Sequence, residues 1–168
     1  MSSPGDMRSA IELSRRTFHQ VGVETSWSVC PQSATPRNEC DLPPEGSYIR
    51  INVVSGKGLG GKLPHVIGWV PRTASAVHRY PVAYVSHTQV SISAYTLGPV
   101  SQVLASVIIH ELSHLLGLDH AGAGVMHDPL QWRDVKEVAQ GQAFTPSQAQ
   151  QLHVGASRLS TILLARAE

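Results

Sequence analysis

His110-Glu111-Leu112-Ser113-His114-Leu115-Leu116-Gly117-Leu118-Asp119-His120 is the stretch whose spacing decides how the rest of the chain is read. His110 and His114 are four apart, so on a helix they lie one turn apart on the same face, where both imidazoles can reach one metal ion. Glu111, beside the first ligand, is placed to take a proton from a metal-activated water and to return it to a leaving amine, the work of a general base. Gly117 can take the left-handed conformation that ends a helix and turns the chain back, which brings His120 in as a third ligand. Three neutral imidazoles suit Zn2+ and leave a fourth position open for water, the mark of a catalytic site as opposed to a closed structural one. Chance would place five such residues at this spacing in roughly one chain in ten thousand.

The pattern H-E-x-x-H-x-x-G-x-x-H is the signature of the metzincin zinc peptidases, and this chain resembles that family, in its small bacterial matrixin-like form. The resemblance implies a Met-turn after the third ligand, and Gly124-Val125-Met126-His127-Asp128 supplies one, with Met126 as the apolar floor beneath the metal. Met126 follows His120 more closely than is usual in the family. Departures are equally readable. No Tyr lies two residues after Met126, so the extra ligand of astacin-like and serralysin-like members is missing, as is the His-x-Asp pattern of a second, structural zinc.

The chain has 168 residues, one domain's length, and 42% hydrophobic against 15% charged residues places it among globular proteins. A single domain over residues 1–168 is expected, with 1–5 an expression-derived or unstructured start. The longest apolar run is far short of a membrane span, and a net charge of +1 points to no nucleic-acid or membrane partner. Charge is distributed unevenly: no Asp or Glu lies between Gly46 and His110, whereas Arg50, Lys57, Lys62, Arg72 and Arg79 do. Carboxylate-rich calcium loops therefore cannot be built there. Cys30 and Cys40 flank a Pro- and Ser-containing stretch that could close into one disulfide, and two free thiols fit the spacing as well. No basic, then apolar, then small-residue leader opens the chain. A secreted or periplasmic location is expected from the resemblance and the cysteine pair.

Apolar residues Met7, Ala10, Ile11, Leu13 and Phe18 recur at helical spacing over 6–20. Alternation predicts strands over 21–30, 47–54, 65–70 and 82–93, with a glycine-rich loop over 56–61 that lacks the order of a phosphate-binding loop. Pro99 opens the long helix that carries the ligands, and Val100, Val103, Leu104, Val107, Ile108, Leu112 and Leu115 are its core face. One or two helical turns are expected over 134–140. Thr145-Pro146-Ser147-Gln148 reads as a capped start of a last helix running to about residue 165. The expected class is α/β (α+β): a twisted mixed sheet with an active-site helix and a C-terminal helix. The resemblance makes it a metzincin-like catalytic domain whose first strand is missing.

The function expected is that of a monomeric zinc-dependent endopeptidase acting on a peptide or protein substrate, with His110, His114 and His120 as ligands, Glu111 as base and Met126 in the Met-turn. In the family an extended peptide pairs with an edge strand, here 65–70, and Lys57, Lys62 and Arg72 would favour acidic substrates if that strand borders the cleft; a solvated basic face elsewhere accounts for them too. Trp132 is either a wall of the specificity pocket or a core residue. The His spacing also resembles three-His endoribonucleases, which carry Gly where this chain has Glu111. A metal- or peptide-holding module without turnover would have no use for Glu111. Glu137 on a later helix would be the third ligand of a gluzincin, a role His120 already fills.

Overall fold

In the computed structural model the described residues are 3–29, 49–54, 66–71 and 81–165. The chain is a mixed α/β structure in which, among those residues, five helices surround a small three-stranded mixed sheet. The first helix, α1 (Pro4–Gln20), begins earlier than its apolar spacing suggests, because Ser3 and Asp6 form a reciprocal cap: the Asp6 N–H donates to Ser3 Oγ at 3.0 Å and the Ser3 N–H to Asp6 Oδ2 at 3.1 Å. Ser3 thus caps the helix and Pro4 and Gly5 open it, while residues 1 and 2 lie outside the described residues. Ala10, Leu13 and Phe18 face the core.

The strand expected over 21–30 does not form among the described residues. Val21 and Gly22 close α1, Gly22 with φ of 76°, and Val23 donates back to the Phe18 carbonyl at 3.0 Å. Residues 23–29 find no partner strand there; the alternation is used locally instead, Trp27 Nε1 donating to Thr25 Oγ1 at 2.9 Å. The cysteine pair and the 56–61 loop lie outside the described residues.

Strand β1 (Arg50–Val54) runs parallel to β3 (Val82–Ser86), and β2 (Gly68–Trp69) pairs antiparallel with the other side of β3 in the register Gly68 with Val85 and Trp69 with Tyr84. The sheet order β1-β3-β2 leaves β2 at an edge among the described strands, as expected for 65–70, though only two of those residues keep strand pairing. The expected strand 82–93 is half strand and half helix. Ser86 ends it by accepting the Gln89 N–H at 3.3 Å, and α2 (His87–Leu97) follows until Gly98, φ 133°. Val90, Ala94 and Leu97 are the helical face packed on the core, while Ile92 and Tyr95 stand exposed, so what reads as alternation is the edge of a 3.6 period.

Helix α3 (Val100–Leu115) is the centre of the fold. Residues Val103 to Ile109 are all buried, including Ala105, Ser106 and Ile109 that the one-face pattern leaves out, because α1, the sheet, α2 and α4 (Trp132–Ala139) enclose it. Helix α5 (Pro146–Ala165) starts at the Thr145 cap with both reciprocal bonds to Gln148, 2.9 and 3.3 Å. No single helix among the described residues is long and apolar enough to cross a membrane.

Candidate metal centre

Leu116 and Gly117 end α3 with the paired bonds of a Schellman turn: Gly117 N–H to the His114 carbonyl at 3.0 Å and Leu118 N–H to the Ser113 carbonyl at 2.9 Å, with Gly117 at φ 94°. The turn delivers His120 back over the helix. The imidazoles of His110, His114 and His120 converge, with centroids 4.6, 5.2 and 4.7 Å apart and one ligand nitrogen from each within 4.8 Å of the others. These three side chains could hold a metal ion, as their spacing predicts, and theirs is the one such group among the described residues. Glu137 does not join it; its carboxylate faces Arg133 at 4.0 Å.

The outer nitrogens explain how the rings are held. His110 Nδ1 lies 2.7 Å from the Val125 carbonyl and His114 Nδ1 2.7 Å from the Leu118 carbonyl. A carbonyl can only accept, so both Nδ1 atoms carry the proton and both Nε2 atoms present a lone pair. Those two Nε2 atoms stand 3.0 Å apart. Two facing lone pairs at that separation repel, and a shared cation resolves the conflict: nitrogens bound tetrahedrally to zinc sit about 3.3 Å apart, given Zn–N bonds of about 2.05 Å. The donor set fits a shared metal ion on this ground. Burial also holds His110 down to about 4, against the pull of the Val125 carbonyl, so it is neutral and ready to bind at ordinary pH.

Glu111 is 4% exposed and points under the edge strand. A Cβ placed on Gly68 would sit 2.5 Å from Glu111 Oε1 and 2.8 Å from its Cγ, so β2 passes directly over the carboxylate with no room for a side chain. Burial, with the nearby charge of Asp128 adding to it, pushes Glu111 up to about 8. A carboxyl so poised is a proton carrier near neutral pH.

Met126 is fully buried and ends a single 3-10 turn, Gly124–Met126, whose Val125 carbonyl is the one that holds His110. The segment is tied at both ends: Ala121 N–H donates to the Met126 carbonyl at 2.9 Å, and Val125 N–H to the Ala143 carbonyl at 3.3 Å. His127 turns away to the buried Asp134 of α4, Nδ1 to Oδ2 3.0 Å, while Asp134 Oδ2 also accepts the Gln131 N–H at 2.8 Å. Asp134 Oδ1 is buried without a partner among the described residues.

Four contributors escape sequence reading: Gly68, the Val125 and Leu118 carbonyls, and Asp128, whose Oδ2 lies 3.6 Å from His120 Nδ1. Gly68 carries a weak signal, since a glycine inside a strand marks a close approach. Trp132 is 59% exposed, so it is not a core residue; Lys136 Nζ stands 5.8 Å from its ring centre. Lys57, Lys62 and Arg72 lie outside the described residues, and with them the expected basic rim. No protein-family model, curated protein or solved structure matches the chain.

Proposed function

We propose that the chain is a zinc-dependent endopeptidase with a metzincin-type centre, in which His110, His114 and His120 hold the ion and Glu111 moves the proton. The observation that carries it is the pairing of a three-nitrogen site with a buried carboxyl, Glu111, that lies in the helical turn between His110 and His114 and exchanges its proton near neutral pH. A bound zinc would supply Lewis acidity to the substrate carbonyl and to water. Glu111 takes the proton from the attacking water and gives it to the departing amine, and the low-polarity cover of β2 keeps competing water from its carboxylate. Among the described residues strand β2 is the edge of the sheet beside Glu111, suited to pairing with an extended peptide. Met126 and its turn hold His110 from below through Val125.

Metal analysis of the purified protein, coupled to cleavage of a mixed quenched-fluorescent peptide library, tests this. One equivalent of zinc and peptide cleavage that vanishes in Glu111→Gln are expected, with zinc retained in that variant. Cleavage of RNA in place of peptide, or undiminished turnover in Glu111→Gln, overturns it.

A further inference from the structure

The three imidazoles are not held alike. His110 and His114 project from a rigid helix and each gives its outer nitrogen to a backbone carbonyl at 2.7 Å, an arrangement no side-chain substitution at the acceptor can remove. His120 follows the end of the helix, its side chain is 52% exposed, and the oxygen facing its Nδ1 is a carboxylate, Asp128 Oδ2 at 3.6 Å. The backbone brings the pair together. Ala121, next to His120, is bridged in parallel to His127, next to Asp128, and the Ala121 N–H bond to the Met126 carbonyl clamps the two segments. The Asp128 side chain is 61% exposed, so its carboxylate divides between solvent and the His120 ring. At 3.6 Å the contact is an ion-pair distance, longer than a hydrogen bond, and a small swing of two exposed side chains closes it.

On the premise that the three imidazoles bind zinc, we infer that Asp128 is the positioning residue of the third ligand, doing for His120 what main-chain carbonyls do for the other two. It fixes the tautomer that leaves Nε2 free and the tilt of the one ring that the helix does not orient. Asp128 touches neither the ion nor the reacting atoms.

The test is zinc affinity, by competition with a chromophoric chelator, in wild type, Asp128→Ala and Asp128→Asn, each checked for fold by far-UV circular dichroism. Asp128→Ala is expected to bind zinc about 10- to 100-fold more weakly. Asp128→Asn keeps an acceptor oxygen without the charge, and is expected to recover most of that loss. The visible spectrum of the cobalt-substituted protein should shift in Asp128→Ala and return toward wild type in Asp128→Asn. Wild-type affinity in Asp128→Ala, or an Asn variant as weak as the Ala variant, overturns the inference. Absence of zinc binding in wild type instead overturns the metal reading on which it rests, and the two failures are thereby told apart.

Discussion

Replacing Gly68 by Ala is the sharpest probe of how Glu111 is placed. The added methyl would lie 2.5 Å from Glu111 Oε1, 2.8 Å from Glu111 Cγ and 2.8 Å from Val107 Cγ1, against 3.4 Å for ordinary contact. Rotating the carboxylate alone does not relieve this, because the Cγ and a side chain of the next α3 turn are crowded too. Either the edge strand lifts or Glu111 moves, by about 0.9 Å at the carboxylate oxygen in the latter case. Misplacement of about 1 Å in a catalytic group costs up to about 100-fold in rate, so kcat/KM of Gly68→Ala should fall about 10- to 100-fold, or ~1.4 to 2.7 kcal/mol of transition-state stabilisation. The three His ligands do not touch Gly68's new methyl, so zinc content should stay at one equivalent. Steady-state peptide cleavage with parallel metal analysis measures both. Wild-type kcat/KM in a folded, zinc-loaded Gly68→Ala protein would show that β2 does not position Glu111. A loss of zinc would place the strain elsewhere in the site.

Gly155 of α5 lies against the end of α3, where a Cβ would collide with the Leu116 carbonyl oxygen, its carbon 2.7 Å away. Gly155→Ala should therefore lower Tm by about 2 to 12 °C despite Ala's better helix propensity, since overpacking against backbone costs ~1 to 3 kcal/mol; an unchanged Tm refutes the close crossing. In the metal-free protein Glu111, pushed up to about 8 from an unfolded value of 4.5, keeps a proton in the folded state that the unfolded chain gives up, so its burial weakens the fold as pH rises through about 8. His110, held down to about 4 from 6.5, acts in the opposite direction, weakening the fold as pH falls below 6.5. Above pH 6.5 Glu111 acts alone of the two, so the Tm advantage of chelated Glu111→Gln over chelated wild type should grow between pH 6.5 and 8.5, and equal slopes would contradict this. Saturating zinc, at about 1,000 times Kd, should raise Tm by about 8 to 16 °C, from a linkage energy of ~4.1 kcal/mol, and His114→Ala should remove that increment.

What was legible in the sequence is local in the chain. The ligand set, Gly117 as helix stop, the capped start of α5 and the core-facing α3 all depend on residues within a turn or two of one another, where helical spacing and capping chemistry act. The misses are of two kinds. Over 82–93 the alternating pattern held two periods in succession, and only the Ser86 cap tells where one yields to the other. Over 21–30 the alternation was real, yet a strand needs a partner, which no local pattern can guarantee.

The site divides along the same line. Which residues could share a metal ion follows from spacing; how each is held depends on pieces far apart in sequence. Burial first, and then the charge of Asp128, raises the proton affinity of Glu111, and part of that burial comes from Gly68, on a strand from the acid-free half. His110 has its tautomer because a turn that begins after the third ligand lends it the Val125 carbonyl. The short link from His120 to Met126 fits the same geometry: Ala121 N–H pairs directly with the Met126 carbonyl, so the segment that carries His120 also anchors the turn that carries Met126. Lengthening that link would uncouple His120 from Asp128 as well as from the turn, which makes the compactness of residues 120–128 part of how the centre is oriented.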